Sequence, residues 1–164
     1  MLSYSINKIF KINNDKEFNA IALEVFKFQY ENNQVYNAYV NVHRSNIREI
    51  KHYSEIPFLP IQFFKSHDVI CDSRSITKTF LSSGTSLSKR SKHHVTDLDI
   101  YGSSFQKGFR KFYGEPKDWV ILALLPSYLD QGDSSLIYMV DQLMKQSKNK
   151  ESRYLNATST QAEN

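Results

Sequence analysis

Cysteine is almost missing from this chain: Cys71 is the single one among 164 residues. A disulfide within one chain is therefore excluded, and so is a zinc site built on paired cysteines. The default that follows is a reducing compartment, so a cytoplasmic location is expected. Glycine is scarce as well, with five residues in all. Walker A and dinucleotide-binding loops need several glycines at fixed spacing, and no stretch here supplies them. Long apolar runs are absent too. The longest, Trp119 to Pro126, falls well short of the roughly 20 residues that cross a bilayer. Met1 to Lys8 has no basic stretch leading into an apolar core, so no secretory signal is expected. Excess charge is mild, at +4 with both signs mixed. That permits contact with anions without demanding nucleic acid.

Aromatic residues, by contrast, are plentiful, with ten Tyr and eleven Phe. A chain of this length can bury a sizeable core, and the composition predicts a packed α/β or α+β body. The first fifty residues read as helical. Asn14 followed by Glu17 has capping-box spacing, and Phe18, Ile21, Ala22, Val25 and Phe26 form one stripe. A second helix carries Val35, Tyr36, Tyr39 and Val40, with Glu31-Asn32-Asn33 as the separator. Pro57 and Pro60 favour an extended segment over Ile56 to Lys65. His67 to Cys71 and Ser75 to Leu81 read as two short strands around the turn-forming Asp72-Ser73-Arg74.

Thr96, with Asp99 three residues on, is the expected cap of a helix striped by Leu98, Tyr101, Phe105, Phe109 and Phe112, which Gly114-Glu115-Pro116 stops. Trp119 to Leu125 has the near-continuous apolar pattern of a central strand buried on both faces of a parallel sheet. Pro126 ends it, and Asp133 or Ser134 caps a last helix through Leu136, Met139, Val140 and Leu143. The expected fold class is α/β: a helical N-terminal region, then a partly parallel sheet with flanking helices. A helix between two strands points to a parallel βαβ unit. One domain is expected over 1–146, with 147–164 as a loose polar tail.

The stretch with the most chemistry is Phe80-Leu81-Ser82-Ser83-Gly84-Thr85-Ser86-Leu87-Ser88-Lys89-Arg90-Ser91-Lys92-His93. It holds six hydroxyls, one glycine and three cations in fourteen residues. Consecutive N–H groups in a turn make an anion-binding concavity, which Gly84 makes conformationally accessible. Ser82, Ser83, Thr85 and Ser86 can add hydroxyl donors, and Lys89, Arg90 or Lys92 can neutralise charge. On composition alone, an idle polar surface loop is the better fit. A nucleic-acid patch over Lys89 to His94 fits worse, because no aromatic stacking residue lies within it.

The order of these residues goes further. Phe80-Leu81-Ser82-Ser83-Gly84-Thr85-Ser86 resembles the phosphate-binding loop of the adenylate-forming enzymes, whose pattern is roughly Ser/Thr-Ser-Gly-Thr-Thr/Ser-Gly followed by a lysine. More narrowly, the chain is similar to the acyl-protein synthetase family, the fatty-acid-activating component of the bacterial luciferase fatty-acid reductase. The likeness is carried by Ile56 to Lys65, by the loop running into Ser91-Lys92-His93, and by Leu122-Ala123-Leu124-Leu125-Pro126-Ser127-Tyr128-Leu129 continuing through Gly132, Ser134-Ser135-Leu136 and Tyr138-Met139-Val140.

The resemblance implies a ligase or acyltransferase chemistry in two steps. A carboxylic acid, fatty acids among the candidates, attacks the α-phosphorus of ATP to give an acyl-adenylate and pyrophosphate. The acyl group then passes to a thiol or other acceptor, on a protein or on coenzyme A. ATP and Mg2+ are the implied cofactors. Ser82, Ser83, Gly84, Thr85 and Ser86 would wrap the β- and γ-phosphates, with Lys92 the better match for the loop lysine and Lys89 its substitute. His93, within the matched Ser-Lys-His, would orient substrate or phosphate. Leu87 replaces the usual second glycine, and the usual proline is missing. The family's adenine- and ribose-binding motifs, its acidic magnesium residue and its C-terminal lysine would all fall beyond residue 164. The chain is thus expected to be an N-terminal portion, inactive alone. Neither nucleic acid nor a membrane span is expected as a partner, and self-association is left open. The alternative is a non-catalytic remnant or a protein-interaction module.

The remaining candidates have plain structural explanations beside the functional ones. Cys71 could accept an acyl group, but a small buried hydrophobe is the simpler role. His93 and His94 are adjacent, so on a strand they face opposite ways and chelate poorly. Tyr128, Gly132 and Ser134 follow the carboxyl end of a strand, where ligands of open α/β sheets collect, and a turn with a helix cap explains them equally. Asp130 and Asp133 could be general bases or ordinary surface carboxylates. Trp119 reads as a core anchor.

Overall fold

The computed structural model describes residues 6–43, 46–71, 75–83, 89–125 and 132–155. The chain divides into two compact units. The first is Met1–Lys78 with Gly84–Thr96, and the second is Thr79–Ser83 with Asp97–Asn164.

The first unit is mainly helical, as the periodicity predicts. After α1 (Ile6–Ile9), Asn14 caps α2 (Asp15–Asn32) by accepting from the Glu17 N–H. The Glu17 carboxylate reaches back to the Asn13 N–H at 3.0 Å, one residue earlier than a standard capping box. Asn33 breaks the helix. It is 4 % exposed, and its Oδ1 accepts from the Tyr36 N–H, which starts α3 (Gln34–His43). Phe26, Tyr36, Val40, Ile50 and Ile56 form the core, with Ala22, Leu23, Tyr30, Tyr39 and Leu59 packed around it. Single turns of 3-10 helix at Ile47–Glu49 and Tyr53–Glu55 bring the last two core residues in. Asn19 holds that segment to α2, donating to the Lys51 carbonyl and accepting from the Tyr53 N–H. The Tyr36 hydroxyl donates to the Pro57 carbonyl at 2.8 Å. Burial, helped by nearby Tyr39, pushes its pKa up to about 12.

Two expectations fail in this unit. The segment from Ile56 to Lys65 is extended only in part, because it turns into α4 (Phe63–Ser66) once past Pro60. His67 to Cys71 is not a strand. It meets β2 (Lys92–Val95) through the Asp68 side chain rather than through a backbone ladder. The turn expected at Asp72-Ser73-Arg74 lies outside the described residues. β2 forms a two-stranded sheet with β1 (Lys78–Leu81), which agrees with the strand expected over Ser75 to Leu81. At the entry to β1, Thr77 donates its N–H to the Val95 carbonyl and its hydroxyl to the Thr96 carbonyl.

In the second unit, α5 (Leu98–Tyr113) is capped by Asp97, not by Thr96. A carboxylate there accepts from both the Asp99 and Ile100 N–H groups, at 3.0 and 3.2 Å. The aromatic stripe packs as expected at its start. Phe80, 2 % exposed, lies 5.0 Å from the Tyr101 ring and 5.5 Å from that of Tyr138, with Phe105 beside both tyrosines. At its far end Phe112 is 77 % exposed, contrary to the stripe's promise of burial. Gly114 ends the helix at φ +81°, a region open to glycine, and Pro116 opens a 3-10 turn to Asp118.

The apolar run after it forms only β3 (Leu122–Leu124). Ser134 then caps α6 (Ser135–Ser147), as expected. β4 (Arg153–Leu155) pairs parallel with β3 in the register Leu122↔Arg153, Ala123↔Tyr154 and Leu124↔Leu155. The parallel βαβ unit is therefore β3–α6–β4, not one closed by β1 and α5. Two further expectations change with it. Among the described residues β3 has one partner, and of its three residues only Ala123 is buried, while Leu122 and Leu124 are half-exposed or more. Part of the stretch read as a loose tail is a strand. Hydroxyls dock it: Ser152 Oγ accepts from the Ile121 N–H at 3.0 Å and meets the buried Ser147 Oγ at 2.9 Å. Among the described residues no helix is long and apolar enough to cross a membrane.

Candidate phosphate-binding loop

Strand β1 delivers the first loop residues. Phe80 locks it into the aromatic cluster of the second unit, and the Leu81 N–H donates to the Asp133 carbonyl at 2.9 Å. Ser82 and Ser83 follow directly and are both exposed. Gly84, Thr85 and Ser86 lie outside the described residues, as do Pro126, Ser127, Tyr128 and Asp130.

Lys92 and His93 open β2, in the first unit. Lys92 is half-exposed, and its ammonium donates to Asp68 Oδ1 at 2.9 Å. His94, two residues on and therefore on the same face, meets the same oxygen through Nε2 at 3.1 Å. The alternation expected of the two histidines is present, with His93 exposed and the His94 side chain 7 % exposed. Hydrogen bonds from Lys92 and then His94 hold the Asp68 carboxyl below its ordinary range. Partial burial, with His94 nearby, holds the His93 imidazole below its ordinary pKa. A neutral His93 offers a phosphate one N–H donor and no charge. Asp68 escaped the sequence reading altogether. The only sequence signal for it is the spacing Lys92-x-His94 on a strand, which aims two donors at one acceptor.

The other candidates fall on the plainer side. Cys71 is partly buried, and its thiol contacts Gln29 Oε1 at 3.4 Å. The Asp133 backbone receives β1, and Ser134 is a helix cap. Trp119 is not a core anchor. It is 45 % exposed, and its indole donates to the Tyr113 carbonyl at 2.7 Å. A hollow of about 300 Å³ in the second unit is lined by Arg110, Lys117, Lys145 and Lys148, together with Glu115 and Gln142. Arg110 is paired with Glu115 at 3.0 Å and Lys145 with Asp141 at 2.7 Å. Both cations lie in the last turn of a helix, where they complement the macrodipole. None of the described loop residues lines this hollow. Among the described residues no group of three or more His, Cys, Asp or Glu side chains is placed to hold a metal ion. Comparison of the chain with protein-family models, curated proteins and solved structures finds no match.

Proposed function

We propose that this chain is the N-terminal portion of an ATP-dependent acyl-activating enzyme, and that its part is to hold the ATP polyphosphate. The observation that carries the reading is the order Ser82-Ser83-Gly84-Thr85-Ser86, leaving the carboxyl end of an anchored strand and returning through a strand that begins with Lys92.

ATP supplies an electrophilic phosphorus for the attacking carboxylate. The residues of this chain hold the leaving pyrophosphate in place through hydroxyls and N–H groups, and Lys92 offsets its charge. Such a loop acts by position and electrostatics and forms no covalent bond. The described residues offer no carboxylate cage for Mg2+. The ion fits here as one carried in on the phosphates, where Mg2+ keeps most of its waters. Acyl transfer to a thiol, on a protein or on coenzyme A, belongs to the same proposal.

The test is a thermal shift of the full chain with ATP. Binding is expected to raise the melting temperature, and Ser83→Ala and Lys92→Ala are expected to reduce the rise. A charge-assisted hydrogen bond contributes about 1.5–3 kcal/mol, so Lys92→Ala should weaken affinity by about tenfold or more. A melt indifferent to ATP, or to both substitutions, overturns the reading.

One observation favours a second reading, an interaction module without nucleotide chemistry. Apolar side chains lie open on the second unit, with Phe112 77 % and Leu124 67 % exposed. That reading predicts no effect of ATP on the melt, so the same titration separates the two.

A further inference from the structure

We propose that Asp68 is a built-in counter-ion that occupies Lys92 in the ligand-free chain and yields it to an incoming polyphosphate. The proposal rests on the phosphate-loop reading and names how that site is regulated. Its basis is the face that β2 turns toward Asp68. Residues two apart on a strand share a face, so Lys92 and His94 both reach one carboxylate oxygen, at 2.9 and 3.1 Å. The Lys92 and Asp68 side chains are 48 and 61 % exposed. An ion pair that open to solvent is weak and changes partners readily. A di- or triphosphate carries more charge than a carboxylate and offers the same kind of acceptor oxygen.

His94 makes the exchange inexpensive in structure. Its side chain is 7 % exposed and stays on the same oxygen, so Asp68 keeps a partner when the ammonium swings away. A purely structural ion pair gives the opposite expectation, since its removal would loosen the segment after α4 and weaken whatever β2 binds. The two roles therefore differ in sign.

The experiment titrates the full chain with inorganic pyrophosphate and, separately, with ATP at low salt. The variants are Asp68→Asn, Lys92→Ala and the double variant. Asp68→Asn is expected to tighten pyrophosphate binding about three- to fivefold, the scale on which an exposed ion pair competes. The gain should vanish in the Lys92→Ala background. If Lys92→Ala weakens binding while Asp68→Asn leaves it unchanged or weaker, the counter-ion role is overturned and the phosphate loop stands. A gain that persists without Lys92 also overturns it, because the effect is then a general field and not a released lysine. If neither probe binds the wild type or Asp68→Asn, the phosphate loop falls and this inference with it. Should Asp68→Asn fail to fold, the wild type still decides by NMR. Saturating pyrophosphate is expected to move the Asp68 carboxyl titration up toward its ordinary range, and a titration that does not move overturns the proposal.

Discussion

Lys92 and His94 illustrate how much of a site a single residue type conceals. Lys92 stood out in the sequence from its place in Ser91-Lys92-His93, and phosphate binding there is the proposal made above. Its partner was not, because Asp68 lies twenty-four residues earlier in a segment whose pattern suggested a strand. The pair has a consequence at low pH. The Asp68 carboxyl is held below its ordinary value by Lys92 first and His94 second. A depressed carboxylate adds stability that is present above its unfolded pKa and lost as pH falls through the lower folded one. The melting-temperature difference between the wild type and Asp68→Asn should therefore narrow below about pH 4. A difference that stays constant from pH 6 to pH 2 would contradict the pairing. Tyr36 acts at the other end of the scale. Its pKa is raised to about 12, so the contribution of the neutral phenol is whole below about pH 10 and is lost as pH climbs toward 12. Denaturant melts should show a stability loss in that window, which Tyr36→Phe abolishes. Equal slopes in the two proteins would assign the loss elsewhere.

Helix ends were the most legible elements and sheet partners the least. Asn14 and Ser134 announce their caps because a short polar side chain before an apolar stripe has few other uses, while Asn33, read only as part of a separator, turns out to cap α3. At α5 the choice between Thr96 and Asp97 turned on geometry that one sequence does not carry, namely which side chain reaches two N–H groups. Asp97→Ala should cost about 1 kcal/mol, read by chemical denaturation, while Thr96→Ala leaves that cap intact. Gly114→Ala is expected to cost about 1–3 kcal/mol. Nothing crowds the added methyl, so the whole cost is backbone strain at φ +81°, and a neutral result would refute that conformation. β4 was hidden because its docking is polar. Ser147 and Ser152 hold it through hydroxyls, and a hydrophobic pattern search passes over such residues. β3 was over-read for the complementary reason. A run of seven apolar residues suggests burial on both faces, yet among the described residues one three-residue strand pairs with it.

At the scale of the molecule, the mixed helical and parallel-strand character follows from composition and periodicity, while the division into two units does not. The boundary runs through β1, where Lys78 belongs to one unit and Thr79 to the other. No change of composition marks it. Val40, fully buried in the first unit, is where the helical core is best tested. Val40→Ala should cost about 2–3 kcal/mol from lost transfer energy and a residual cavity. The proposed function rests on less of the chain than the fold does, on the hydroxyl-rich sequence between β1 and β2. The measurement that tests it most directly is calorimetric titration of the full chain with ATP and, in parallel, with AMP. A loop that wraps the β- and γ-phosphates predicts saturable binding of ATP that Lys92→Ala weakens by about tenfold or more, and much weaker binding of AMP, which lacks both phosphates. Equal affinity for the two nucleotides, or no binding of either, would contradict it.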